Sequence, residues 1–416
     1  MRKHAWWKWC GKLFVSIAAG MALLAFAYLL PTQPMRENVA RSSETFNREG
    51  IFPELAYGYS CMRLDTFTDS VMLGTAVYGG EEPLAERMAL NYRMVCGELP
   101  EDMTLTNYSN GVTVYEYEPV PYGRYWHGYL VPLKLLLLFF DFGDIRVLNF
   151  MVQSILLCVV VWLFLENKQE IYLPAFAMGV FVLNPLALAL SLQFSTVYYI
   201  VLGALICLLE WRRKGKWENG RTDNLFFFTG AATSYFDFLT YPLASAGIPL
   251  ILYLNLNGGK SGKGQVKTCI AKLVLWGTGY GGMWCGKWLV GSLLTGENFF
   301  GNAWNQSLLR TSVEDYTRMD VVAKNVGVFF KWPFLLLFAA AAAFCLWKLG
   351  KGNREAWRRE RGRVWLYGMI ALLPFLWICI LANHSWIHYW YTYRELSVSC
   401  FAVCSMVAFL GRPARE

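Results

Sequence analysis

MRKHAWWKWCGKLFVSIAAGMALLAFAYLL, residues 1–30, places Arg2, Lys3, Lys8 and Lys12 ahead of an uncharged apolar run from Leu13 to Leu30. A run of that length carries a helix across roughly 30 Å of hydrocarbon. It exceeds the apolar region of a signal peptide, and no small-x-small cleavage pattern precedes PTQP. The reading is a retained anchor with its basic end in the cytoplasm. The remainder of the chain is also built for lipid: of 416 residues, 56% are hydrophobic and only 16% charged. No alternating pattern points to a β-barrel. The net charge of +8 comes from short basic clusters between apolar runs, which orient a membrane protein and argue against nucleic acid as a partner. The expected fold is an all-α polytopic membrane protein, a single integral membrane domain over residues 1–416.

The basic clusters fix a route. Residues 31–124 hold 14 Asp and Glu, seven Arg and no Lys, as suits a translocated segment. WRRKGKWENGR, 211–221, must be cytoplasmic, so an odd number of crossings separates the two. Of the four apolar runs between them, 128–140 contains Pro132 and Lys134 and is too short to span. It is expected to lie in the interface as a juxtamembrane helix, extending the first extracytoplasmic loop to 31–143. Runs 147–165, 171–190 and 192–211 then cross. LFFFTGAATSYFDFLTYPLASAGIPLILYL, 225–254, is too long for one crossing and is expected to form a helical hairpin turning near 239–242. Spans at 273–294, 326–347, 364–381 and 396–410 follow. They leave a second extracytoplasmic loop at 295–322 and the basic stretch KLGKGNREAWRRERGR, 348–363, inside. The count is about ten transmembrane helices with both termini cytoplasmic.

This topology, drawn from lysines and arginines, gathers the unusual polar residues on the outer face. RLDTFTDS, 63–70, spaces Asp65 and Asp69 so that a helix would put both on one face. Like charges repel there and one pKa rises, which suits a general base. A helix cap or an ion pair with Arg63 is the plainer role for either. RYWHGY, 124–129, carries Arg124, Trp126 and His127; YFDFLTYP, 235–242, carries Tyr235 and Asp237; NHSWIHYWYTYRE, 383–395, carries His384, His388, Arg394 and Glu395. Arg310 belongs to the second outer loop. Lys287 and Lys331 are expected about two turns below the outer ends of their helices, where a lysine snorkels or meets an anionic headgroup. The aromatic rings fit an interfacial belt as well as a sugar platform. The HSWIH pair lacks the glutamate of a zinc helix, so no metal set and no cofactor is assigned, with a divalent cation left open. NGGKSGKG, 257–264, has Leu254 where a phosphate loop needs glycine and reads as a flexible cytoplasmic turn. Cys61 and Cys96 are the two cysteines of the long outer segment and are open to a disulfide.

A first inward-to-outward helix, a long acidic outer loop, and then VPLKLLLLFFDFGDIRVLN, 131–149, with its apolar interfacial helix and a span opening on Arg146, resemble the GT-C class of membrane glycosyltransferases. The resemblance covers the first 210 residues or so; RYWHGYL, YFDFLTYP and NHSWIHYWYTYRE also resemble multipass proteins of bacterial envelopes. Family members carry a more closely paired acidic motif nearer the first span, and their Pro-Pro-Leu-Tyr entry is replaced here by GRYWHGYLVPL. The resemblance therefore implies a catalytic aspartate at Asp65 or Asp69 without choosing between them. It implies a polyprenyl-phosphate-linked sugar as donor and transfer on the extracytoplasmic face of the cell membrane to an envelope glycan, lipid or protein. The mechanism expected is inverting, with an aspartate as base. The leaving phosphate would fall to Arg394, His384, His388, Arg310, Lys287 and Lys331; Arg124, Trp126, His127, Asp237, Tyr235 and Glu395 would meet the substrates. The chief rival is a transporter or flippase for a lipid-linked or anionic solute, which calls for polar groups along a path through the bilayer. A scaffold without chemistry would leave the outer acids as a solvated face.

Overall fold

The computed structural model describes residues 5–257, 262–350 and 361–411. Arg2, Lys3, the turn centred on 258–261, most of the basic stretch 348–363 and the tail from 412 lie outside the described residues. The regular structure of the described residues is helical apart from one antiparallel ribbon, Arg93–Val95 against Glu118–Val120 with Met94 opposite Pro119, and an isolated antiparallel bridge between Glu54 and Arg63.

Five helices among the described residues are long and apolar enough to cross a membrane: Trp6–Leu29, Phe142–Glu166, Leu192–Arg213, Arg361–Ile380 and Tyr389–Leu410. Arg318–Gly327 and Trp332–Trp347, bent by 93°, make a sixth if counted as one broken span. That is five or six of the roughly ten expected. The shortfall has local causes. The run 171–190 is not one helix: Leu173–Leu183 stops at Asn184, which sits in the left-handed region at φ 59°, and Pro185 opens the short helix Pro185–Leu190. Asparagine tolerates that conformation, and proline has no N–H to continue the ladder. The run 225–254 does form a hairpin, as helices Asn219–Phe236 and Ala244–Leu256, but its second arm has 13 residues. Gly262–Thr295 runs 34 residues as one helix and carries lysines along its length.

Both long connecting segments, 31–143 and 295–322, contain helices. Residues 33–129 fold into a cap whose helices include Gln33–Arg41, Thr66–Val77, Leu84–Leu90 and Glu101–Ser109. The short apolar run 128–140 forms the helix Leu130–Leu137, and the segment 295–322 contains the helix Phe299–Thr311, opened by Asn298 accepting the Gly301 N–H at 2.8 Å. The cap is fastened at several points. Asn38 donates to the Leu137 carbonyl at 2.7 Å, Arg146 pairs with Glu49 at 2.7 Å, and buried Lys134 donates to the Ala76 carbonyl at 2.8 Å. Cys61 and Cys96 are both buried free thiols.

The hairpin arm Asn219–Phe236 and the helix Gly262–Thr295 approach backbone to backbone. A Cβ on Gly230 would lie 2.1 Å from the Trp276 carbonyl oxygen, and one on Gly279 equally close to that of Phe227. Reciprocal glycines of this kind permit close helix contact where lipid supplies no hydrophobic drive. They hold the turn 237–243 at the end of the hairpin against the cap, where Gly128 N–H donates to the Tyr235 carbonyl at 2.9 Å.

Candidate functional site

Asp65 and Asp69 begin the helix Thr66–Val77. Asp65 is its N-cap, Oδ1 accepting the Thr68 N–H at 3.0 Å. Asp69 is turned across to a different helix: Oδ1 accepts from Ser191 Oγ at 3.1 Å and Gln193 N–H at 3.0 Å, and Oδ2 from Leu192 N–H at 3.1 Å. It caps the span Leu192–Arg213 from outside. Burial pushes Asp65 up to about 6, and Asp69 to about 7 against the downward pull of Arg146. Both groups thus sit near neutrality, where a base is useful.

Asp237 ends the first hairpin arm and braces the turn after it, accepting the Thr240 N–H at 3.0 Å and the Thr240 hydroxyl at 2.5 Å. Burial raises it to about 6. Leu239 in the same turn is held at φ 67°, and its carbonyl accepts from His384 Nε2 at 2.8 Å. The acceptor fixes the tautomer, so His384 carries its proton on Nε2. The His388 ring centroid lies 4.9 Å from that of His384 and 5.1 Å from that of Tyr391, on which it stacks. Burial, then the neighbouring Arg310 charge, pulls His388 down to about 4; burial, His388 and Arg310 hold His384 well below the ordinary range. Burial and the Arg310 charge thus both disfavour the protonated rings.

His127, in the left-handed region at φ 56°, is likewise committed: Nε2 donates to the Tyr122 carbonyl at 2.7 Å and Nδ1 accepts from the Tyr129 hydroxyl at 2.9 Å. Burial, reinforced by Lys287, lowers it to about 3. Trp126 and Tyr235 pack into the core rather than onto a cleft, with Trp126 Nε1 on the Met283 carbonyl at 2.6 Å and the Tyr235 hydroxyl on that of Gly20 at 2.8 Å.

Three of the expected phosphate ligands serve other ends or stand elsewhere. Lys287 does not snorkel: it is buried and spends its ammonium on the carbonyls of Met88 and Ala89, at 3.1 and 2.9 Å, and on Asn91 Oδ1 at 3.0 Å. Arg394 is buried, with Nε on the Leu183 carbonyl at 3.0 Å, Nη1 on that of Trp390 at 3.3 Å and its guanidinium over the Phe194 ring, while Nη2 has no hydrogen-bond partner among the described residues. Lys331 lies exposed in the bend before Trp332, 5.9 Å over the Tyr59 ring, not two turns inside a helix. Glu395 is also structural, one carboxylate oxygen accepting the Leu243 N–H at 3.2 Å where the second hairpin arm begins.

Arg124 and Arg310 do meet. Arg124 Nε donates to Asn302 at 3.0 Å, Arg310 donates to the Tyr125 hydroxyl at 2.5 Å, and both line a cavity of about 300 Å³ walled by Tyr125, Trp284, Trp288 and Trp377. The aspartates do not line it. Around that cavity Tyr125 lies 4.9 Å from Phe238 of the hairpin turn, His384 reaches the Leu239 carbonyl, and Tyr391 stacks on His388. Tyr125, Tyr391 and Phe238 were not singled out from the sequence. All three stand inside the quoted aromatic runs, and the alternation in RYWH was the available signal: Tyr125 turns to the cavity and Trp126 to the core. Among the described residues no group of three or more His, Cys, Asp and Glu could hold a metal ion. Comparison with protein-family models, with curated proteins and with solved structures finds no match for this chain.

Proposed function

We propose that the chain is a GT-C-like glycosyltransferase of the cell membrane, with both termini cytoplasmic, that moves a sugar from a polyprenyl-phosphate carrier to an envelope acceptor on the extracytoplasmic face. The observation that carries this reading is the meeting of distant segments: Arg310 of the helix Phe299–Thr311 donates to Tyr125, whose ring lies 4.9 Å from Phe238 beside Asp237, and His384 reaches the Leu239 carbonyl of the same hairpin turn. A carboxylate raised toward neutrality and an arginine with unspent N–H groups are what acid–base transfer from a phosphate leaving group requires.

Asp65 is the better base of the pair, because both oxygens of Asp69 already hold the start of another helix. The acceptor hydroxyl attacks the anomeric carbon and gives its proton to Asp65. The bond from that carbon to the phosphate oxygen breaks with inversion, and the departing polyprenyl phosphate keeps the electron pair. Arg310 and Arg124 balance its charge from the tryptophan-walled cavity. The neutral rings of His384, His388 and His127 hold the turn 237–243 and the segment 122–129 in place. The test is turnover of radiolabelled polyprenyl-phosphate hexoses and pentoses by the full chain in membranes. Asp65→Asn and Arg310→Ala are each expected to lose it; full activity in Asp65→Asn refutes the mechanism.

A further inference from the structure

Two segments of the cap, 51–55 and 62–67, run side by side: the Ile51 carbonyl accepts the Phe67 N–H at 3.0 Å, the Pro53 carbonyl the Leu64 N–H at 2.9 Å, and the Met62 carbonyl the Leu55 N–H at 3.0 Å. The pairing stacks Phe52 on Phe67 with ring centroids 6.1 Å apart, and both rings reach the surface, 39% and 37% exposed. The next ring inward is buried Trp390. Phe52 meets it edge-on at 5.5 Å, the Arg63 guanidinium lies 5.5 Å over the same indole, and the His388 ring stands 5.3 Å from it.

The indole N–H of Trp390, Nε of Arg63 and Nδ1 of His388 are all buried with no hydrogen-bond partner among the described residues. Each such group left unpaired costs about 1–3 kcal/mol. Their gathering around one indole, beneath an exposed aromatic pair, marks a place where a ligand completes the bonding.

Charge and donor chemistry narrow that ligand. Arg63 Nη2 already pairs with Glu54 Oε1 at 2.9 Å, and Glu54 spends Oε2 on the Gly58 N–H at 2.8 Å. Burial and the neighbouring Arg310 charge disfavour protonation of His388. The group is therefore electrically balanced, whereas among the described residues the cavity of Arg124 and Arg310 has no carboxylate in its lining. A phosphate belongs with the unbalanced arginines. The Trp390 and Arg63 N–H groups only donate, while a neutral imidazole accepts at one nitrogen and donates at the other. A hydroxyl answers both needs. A hydrocarbon chain would cover the two phenylalanines and leave all three polar atoms unpaired. Hydroxyls at the edge and C–H groups on the face are the features of a sugar ring.

We propose that Phe52, Phe67, Trp390, Arg63 and His388 form a subsite for a neutral sugar ring, its C–H face toward the phenylalanines and its hydroxyls on the unpaired atoms. Asp65 stands between Arg63 and Phe67 in the chain, so the subsite borders the base, and its part in the reaction rests on the glycosyl-transfer reading above. The sugar of the donor and that of a glycan acceptor share this chemistry.

Binding and turnover test the subsite separately, on the full chain in lipid nanodiscs. In saturation-transfer NMR with methyl α-glucoside, methyl α-mannoside, methyl β-galactoside and N-acetylglucosamine, each alone, saturation should reach the ring C–H protons of at least one. Trp390→Phe, which keeps a ring and removes the N–H, and Phe67→Ala, at an exposed position, should each weaken that sugar's affinity several-fold with little change in the unfolding midpoint. No saturation of any of these sugars, or affinity unchanged in both variants, overturns the subsite. In the transfer assay with a polyprenyl-phosphate hexose and the bound glycoside as acceptor, Trp390→Phe should raise one KM several-fold: the donor's places the donor sugar there, the glycoside's the acceptor. Both KM values unchanged overturns the subsite's part in the reaction. Sugar binding that stands while no donor is turned over overturns glycosyl transfer and leaves the subsite.

Discussion

Asp65 and Asp69 stand one helical turn apart and are committed in opposite directions: Asp65 closes its own helix through Thr68, while Asp69 reaches a backbone N–H 124 residues away, at Gln193. Two carboxylates in one environment can thus be separated by experiment. Asp69→Ala strips the acceptor from Ser191, Leu192 and Gln193 and should cost about 1–3 kcal/mol, a group of buried donors left unpaired. Asp65→Asn keeps an oxygen for Thr68 and should stay within about 1 kcal/mol of the parent, yet lose about 10²–10⁴-fold in turnover. Thermal unfolding in detergent beside the transfer assay distinguishes them. A stable, inactive Asp69→Asn beside an active Asp65→Asn would reverse the assignment.

The pH dependence follows from the same burial. Asp65 acts as a base only when ionised, and burial holds its pKa up to about 6. Turnover should therefore climb as pH rises through about 6 and level off above it. Stability runs the other way. A carboxyl with a folded pKa above its unfolded value binds its proton more tightly when folded. Its contribution is complete below about pH 4 and is lost as pH rises through about 6. Activity and unfolding midpoint measured between those limits should move in opposite directions, apart from the terms other groups add. An activity profile that falls through pH 6 would exclude Asp65 as the base.

Arg310 offers the cleanest test of the phosphate side. It spends one N–H on the Tyr125 hydroxyl and lines the tryptophan-walled cavity. Charge-assisted hydrogen bonds to an oxyanion are worth about 1.5–3 kcal/mol. Arg310→Ala should therefore raise the KM for the polyprenyl-phosphate donor by roughly 10–100-fold, with Arg310→Lys recovering only part because the forked geometry is lost. Tyr125→Phe, which frees that N–H, should change KM far less. Equal donor affinity in Arg310→Ala would place the phosphate elsewhere.

What the sequence could and could not disclose divides along a physical line. Features set by neighbours in the chain are legible: the hairpin turning after Asp237, the helix from Leu192, and the short helix within the run 128–140. Features set by distant partners are not. The hold of Leu192 and Gln193 on Asp69, and of the Leu183 carbonyl on the Nε of Arg394, is invisible in the sequence. The break at Asn184 lies between: Asn-Pro was visible in the run 171–190, but apolar length outweighed it. The helix Phe299–Thr311 escaped notice because its polar residues, Asn302, Gln306 and Arg310 among them, make the segment read as a loop although they recur at helical spacing.

Lys287 joins the helix Gly262–Thr295 to the cap as Lys134 joins the juxtamembrane helix to it, each by giving buried N–H groups to carbonyls of cap helices. Lysine suits this task because its ammonium carries three donors and no acceptor. Lys287→Met preserves the bulk of the stem but leaves Met88, Ala89 and Asn91 without a donor, which should lower stability by about 1–3 kcal/mol. Limited proteolysis should then cut residues 84–91 sooner than in the parent. Turnover per folded molecule and donor KM should be unchanged, since the ammonium has no hydrogen left for a phosphate. A donor KM raised tenfold without a fall in the unfolding midpoint would show that Lys287 releases its carbonyls to bind lipid phosphate, and would move the donor from the arginine cavity to the far side of Trp126.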